Sequence, residues 1–134
     1  ITAAAPADSI SGARNFSTAI YFLLPDGERS RLHRIKSEEL WHFYLGAPLT
    51  IAAISPEGKV ELTVLGCDIR AGQKLQHVVQ AGWWFGAYHA GQADLSLVGC
   101  TVSPGFDFAD LQFADRIELL AQFPHAKGII ERLT

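Results

Sequence analysis

The chain reads as an all-β domain, a barrel or a sandwich, and three observations carry that reading. Segments rich in Val, Ile, Phe, Tyr and Trp recur about eight times at short, regular spacing. Turn runs such as Pro25-Asp26-Gly27 and Ser55-Pro56-Glu57-Gly58 separate them, proline presetting φ and glycine permitting φ > 0. A helical period appears only near the end of the chain.

Ile1 to Asn15 is small, polar and turn-rich without a sustained period, so residues 1–15 are expected to form a flexible arm ahead of a single domain over 16–134. The sequence contains no methionine, which is what a processed or truncated start would leave. Phe16 to Leu24 is a continuous run rich in β-branched and aromatic residues and is read as a buried strand rather than an edge. Leu32 to Ile35 and Glu39 to Leu45 are read as a hairpin turning through Lys36-Ser37-Glu38. Leu49 to Ile54 and Val60 to Leu65 make a second hairpin, the latter alternating in Val60, Leu62 and Val64. After a loop over residues 66–75, His77 to Val79, Trp83 to His89 and Leu95 to Val102 supply further strands. Asp115 with Glu118 three residues later has the residue types of a capping box. Ile117, Leu120 and Ala121 then give a helical stripe ending at Pro124, and Ile129, Ile130 and Leu133 predict a second short helix on the outside of the barrel.

Composition excludes several function classes. A net charge of −3, from 11 basic and 14 acidic residues, provides no basic field for nucleic acid. No apolar run approaches the roughly 18 to 20 residues of a spanning helix, and Ile1 to Ile10 lacks the pattern of a signal peptide, so no membrane association is expected. An apolar fraction of 49% predicts that part of the surface is covered by a second copy, most simply in a homodimer. Cys67 and Cys100 are far apart in sequence and are expected to be reduced, buried and structural, which fits a cytoplasmic protein.

Chemistry concentrates between Gly27 and Gly46, where His33, Glu38, Glu39, His42 and Tyr44 gather in one short span. Antiparallel pairing would bring His33 and Glu39 together across the expected hairpin. The spacing Gly27, five residues, His33, one residue, Ile35, three residues, Glu39, six residues, Gly46 resembles the first cupin motif, Gly-x5-His-x-His-x3-Glu-x6-Gly, with Ile35 at the second histidine. The runs Ser17 to Leu24, His33 to His42, Ala81 to Ala87 and Val98 to Phe108 are similar to the DUF985 branch of the cupins, from about Phe16 onward. That resemblance implies a double-stranded β-helix, the jelly-roll barrel, and decides between the two β architectures. It implies a pocket inside the barrel and does not name a reaction. It also implies an N-terminal segment with a His-Pro-Glu-Gly-Gly type run ahead of this sequence.

Cupin metal sites take two histidines and a glutamate from the first motif and a histidine from the second. Aligning Gly82 with the central glycine of the second motif puts Gln80 at its proline, Phe85 at its histidine and His89 at its asparagine. Only His33 and Glu39 then remain as ligands, so no cofactor is expected, and a divalent metal would need His89 as its third ligand. The same pair suits acid–base chemistry, with His33 as base and Glu39 orienting it, as in the metal-free sugar epimerases of the superfamily. Tyr21, Tyr44 and Tyr88 are the only tyrosines that such a reading offers as the acid. The bland alternative is a buried structural ion pair.

Strand parity puts Trp41 and Phe43 on the face of Glu39, and Leu40, His42 and Tyr44 on the other. Trp41, Phe85 and His89, with His77 and Gln73 at the barrel mouth, are therefore the expected ligand-binding residues. Three functions follow as expectations: a metal-independent epimerase or isomerase of a sugar-like or carbonyl metabolite, a non-catalytic binding or sensor cupin, or a metal-dependent enzyme using His33, Glu39 and His89. All three take a small-molecule ligand.

Overall fold

The computed structural model describes residues 12–134, so most of the arm expected over 1–15 lies outside the described residues. Among the described residues, nine strands and two short C-terminal helices follow one another: β1 Thr18–Pro25, β2 Arg29–Arg34, β3 Glu38–Gly46, β4 Leu49–Ile54, β5 Val60–Leu65, β6 Gln76–Val79, β7 Trp84–Tyr88, β8 Leu95–Ser103, β9 Gln112–Phe113, α1 Arg116–Gln122 and α2 Lys127–Leu133. They form two antiparallel sheets, β1-β8-β3-β6 and β5-β4-β7-β2-β9, stacked face to face. The expected strands are all present, and the all-β jelly-roll expectation holds. The addition is β9, whose two residues carry too little pattern to be read from sequence.

Each side of the five-stranded sheet packs a different core. Leu49, Ile51 and Ala53 of β4, with Phe85 and Ala87 of β7, face the other sheet together with Leu24, Trp41, Val98 and Val102. Ala52, Ile54, Trp84 and Tyr88 face outward and are covered by Leu119, Phe123, Ile130 and Leu133 of the C-terminal segment. All six residues of β4 are buried because both of its faces are covered, which is why its run is continuously apolar. Gly86 makes the helix contact possible: a Cβ there would collide with the Ser30 carbonyl and crowd Leu133.

Three expectations change. β1 is the edge of its sheet, pairing with β8 alone; its unbroken apolar run comes from Tyr21 and Leu23, which lie exposed on the outer face. β2 and β3 are not a hairpin. β2 pairs with β7 and β9 and β3 with β6 and β8, so the residues between them form a corner from one sheet to the other. In α1, Asp115 caps the helix by accepting from the Glu118 amide at 3.0 Å as expected, yet the buried residue is Leu119 while Ile117 is exposed. A seven-residue helix lets the docking of Phe123 choose its face, since its own stripe is short.

The helical cap should behave as core. Leu133→Ala is expected to destabilise by about 2 to 5 kcal/mol in urea unfolding, whereas Ile117→Ala should change stability by less than about 0.5 kcal/mol.

Candidate functional site in the barrel interior

Interior positions follow from parity. On β2, Leu32 faces the helices, so His33 faces the barrel, where its ring lies 4.2 Å from that of Phe85 between centroids. On β3, Glu39 and Trp41 are buried on the inner face, and pairing places Val79 and Val102 beside Glu39 and His77 and Cys100 beside Trp41. Trp41 meets Phe22 and Phe85 edge-on, at 6.0 and 6.3 Å. His33 and Glu39 are thus presented from opposite sheets, Phe85 meeting His33 on one side and Trp41 on the other.

His33 is oriented by the backbone. Its Nδ1 lies 2.7 Å from the Arg31 carbonyl oxygen, which can only accept, so Nδ1 carries the hydrogen and Nε2 keeps its lone pair. Burial lowers the pKa of this imidazole, the backbone bond opposing it in part, so the ring is neutral at pH 7. Glu39 moves the other way. Desolvation raises its carboxyl to about 7, with a hydrogen bond to the Cys100 thiol pulling slightly back. Burial and the neighbouring Glu39 push the Cys100 thiol upward in turn, leaving it protonated and unreactive. His77 is lowered by burial and by Lys74, against Glu61.

The remaining candidates divide. His77 shares the inner face with Trp41. His89 is buried at the far end of the barrel, its Nε2–H donating to Ser96 Oγ at 2.8 Å while that hydroxyl donates to the Ala47 carbonyl. Ser96 stands six positions from Val102, the partner of Glu39, which separates His89 from Glu39 by roughly 20 Å along β8. Gln73 belongs to the loop after β5, where its side-chain oxygen accepts from the Asp68 amide at 3.0 Å. Strand pairing therefore gathers His33, Glu39, Trp41, Phe85 and His77, and leaves His89 and Gln73 apart. The expected bond between Glu39 and His33 is replaced by the one from Arg31.

The donor set does not fit a metal ion. Ile35 is buried in the core where the motif's second histidine would stand, and His89 is distant, so His33 Nε2 and Glu39 are the donors left. Among the described residues no three His, Cys, Asp or Glu side chains are grouped to hold one. The tyrosines are also elsewhere. Tyr21 and Tyr44 form an edge-on pair, centroids 5.7 Å apart, on the outer face of the four-stranded sheet; Tyr88 lies under the Arg132 guanidinium beside the helices. Trp84 likewise faces outward, 4.4 Å beneath the Arg34 guanidinium, so the interior aromatic wall is Trp41, Phe85, Phe22 and the half-buried Trp83. His42 faces outward as parity requires, bonded to Thr101 at 3.0 Å and stacked on Tyr44.

Sequence reasoning missed Cys100 as the neighbour of Glu39, since contact across β3 and β8 carries no local signal. Of the two thiols only Cys100 is buried; Cys67 is exposed. Among the described residues, cavities open on the surface around Asp26, Ala47 and Asp94, about 650 Å³, and around Arg34, Phe113 and Glu118, about 340 Å³. Neither is lined by His33 or Glu39.

Comparisons with known proteins agree with this architecture. A protein from Shewanella oneidensis is 42% identical, with a TM-score of 0.87 over 92% of this chain and 78% of its own. A hypothetical protein from Leishmania major is 32% identical, with a TM-score of 0.85 over 90% and 77%. A dTDP sugar isomerase from Desulfovibrio desulfuricans, 16% identical with a TM-score of 0.63 over 81% and 69%, shares the fold alone. Among the curated proteins none matches. The family described as Cupin superfamily (DUF985) matches residues 2–114, and with the two-sheet barrel and the relatives above it, the chain belongs to that family.

Proposed function

We propose that this cupin is a metal-independent isomerase or epimerase of a sugar-like or carbonyl metabolite, with His33 as base and Glu39 as acid. The observation that carries the reading is the bond from His33 Nδ1–H to the Arg31 carbonyl, which sets the tautomer so that, in a ring kept neutral by burial, Nε2 carries the lone pair. In the step proposed, Nε2 takes a proton from carbon next to a carbonyl, and the C–H electron pair moves to form an enediol. Protonated Glu39 gives its proton to the carbonyl oxygen, and return of a proton to carbon completes the exchange. Glu39 takes the acid role because all three tyrosines of the chain lie outside the barrel. The Desulfovibrio neighbour is a dTDP sugar isomerase; its activity is its own, and it shares the fold with this chain.

We place the working unit as a cytoplasmic homodimer joined through the outer face of the four-stranded sheet. Among the described residues no helix covers that face, and Tyr21, Leu23, Tyr44 and Leu45 are exposed on it, while the other sheet is covered by α1 and α2. The partner it takes up is otherwise a small molecule. Tyr21→Glu with Tyr44→Glu should convert the dimer to monomer in light scattering, and a wild-type protein that is monomeric at micromolar concentration would remove the assignment.

The acid–base reading is tested by C–H to C–D exchange in D2O, followed by proton NMR with carbonyl sugars. His33→Gln should lose about a hundred- to ten-thousand-fold in rate with its fold intact, and unchanged exchange would overturn the role of His33. Binding without exchange in the wild-type protein would instead favour a non-catalytic ligand carrier.

The pH dependence has a definite sign. Activity should fall as pH rises through about 7, where Glu39 loses its proton, and fall again in acid as His33 protonates, below its ordinary 6.5. Stability follows from the same carboxyl: its pKa is raised from 4.5 to about 7, so the folded chain holds the proton more tightly than the unfolded chain. That contribution is complete below pH 4.5 and is lost as pH rises to about 7, some 3 kcal/mol in all. Glu39→Gln should flatten the slope in urea unfolding between those pH values.

A further inference from the structure

Trp41 is 1% exposed, and its Nε1–H has no hydrogen-bond partner. The indole lies on the inner face beside Glu39 and His77, held edge-on between Phe22 and Phe85. Burying a donor unsatisfied costs about 1 to 3 kcal/mol, and phenylalanine would fill much of the same space without it. An N–H kept at that cost inside the barrel is a place for an oxygen that arrives with a ligand.

Charge narrows what that oxygen belongs to. The chain has 11 Lys and Arg residues, none of them in residues 1–11. Arg14 pairs with Asp110, Lys59 with Glu61 and Lys127 with Glu131. Arg34 and Arg132 stack on Trp84 and Tyr88 on the helix side, and Arg116 bonds Thr134. Arg29, Arg31, Lys36, Arg70 and Lys74 are exposed, Arg31 lying over the exposed Phe113 ring. Among the described residues, the interior around Trp41 therefore offers two neutral imidazoles, a carboxyl, a thiol and aromatic faces, and no buried cation, the Lys74 charge that acts on His77 being exposed. A carboxylate or phosphate there would be desolvated with no buried counter-charge to offset it.

We propose that the Trp41 indole N–H donates to an uncharged oxygen, carbonyl or hydroxyl, of the molecule that enters the barrel, and that the interior selects neutral polyhydroxy or carbonyl compounds over anions. The proposal deepens the isomerase reading and rests on it for the location of the site. It differs in kind from recognition of a nucleotide-linked or carboxylate substrate, which needs buried cations where the described residues of this barrel place none.

The test uses two matched pairs of probes, D-glucose with D-glucuronate and dihydroxyacetone with its phosphate. Each is titrated into nitrogen-15-labelled protein while the indole resonances of Trp41, Trp83 and Trp84 are followed, assigned by Trp→Phe at each position. The neutral member of a pair should move the Trp41 resonance and bind about ten-fold or more tightly than the anion. Trp41→Phe should weaken that binding about three- to ten-fold. An anion that binds as well as its neutral partner overturns the selectivity, and neutral binding that leaves the Trp41 resonance in place overturns the donor role; no shift from any of the four overturns both. Titration of the unaltered protein carries the test alone if Trp41→Phe fails to fold. Binding that moves Trp41 without C–H exchange in D2O removes the isomerase reading and leaves the neutral-ligand inference standing.

Discussion

Between Arg34 and Glu38 the chain leaves one sheet and joins the other, and the contents of the barrel depend on that corner. His33 is the last inward residue before it and Glu39 the first inward strand residue after it. A tight hairpin would have put the two side chains on neighbouring strands of one sheet. The corner instead presents them from facing sheets, with Phe85 against His33 and Trp41 two residues along β3 from Glu39. Its backbone is held at both ends, the Gly82 amide donating to the Ile35 carbonyl at 2.9 Å and Ser37 Oγ to the Pro104 carbonyl at 2.9 Å. These bonds join the corner to the approaches of β7 and to the end of β8, so both sheets take part in positioning it.

The interior then sets the chemistry by desolvation. One environment acts on two groups of opposite charge type, lowering the imidazole of His33 and raising the carboxyl of Glu39. Both become neutral in the same pH range, which is the state in which one accepts a proton and the other gives one. A metal ion would instead require about three convergent protein donors. Ile35 in the core removes one such donor, and the placement of His89 beside Ser96 removes another.

The two sheets have unequal partners, and this explains the composition. Apolar residues of the five-stranded sheet are used twice, once inside the barrel and once beneath α1 and α2. The outer face of the four-stranded sheet carries a similar apolar load in Tyr21, Leu23, Tyr44 and Leu45 without a covering element among the described residues. Tyr44 lies so close over Gly99 that any side chain there would displace it, so the aromatic face is built into the register of β3 and β8.

Much of the fold and part of the site were legible in the sequence. Strand positions follow from period-two patterns bounded by Gly and Pro, and the motif spacing picks out His33 and Glu39. Parity alone puts Trp41 inward and His42 outward, because alternation is a property of the strand itself. Partners are a different matter, since hydrogen-bonding neighbours in a jelly roll are far apart in sequence. Only the tertiary structure decided that β1 is an edge, that Cys100 rather than His33 lies against Glu39, that the tyrosines are outside, and that His89 stands at the other end of the barrel. The pKa values of His33 and Glu39 belong to the same class of property: they arise from desolvation by β1, β7 and β8 packing around β2 and β3, which no local pattern encodes.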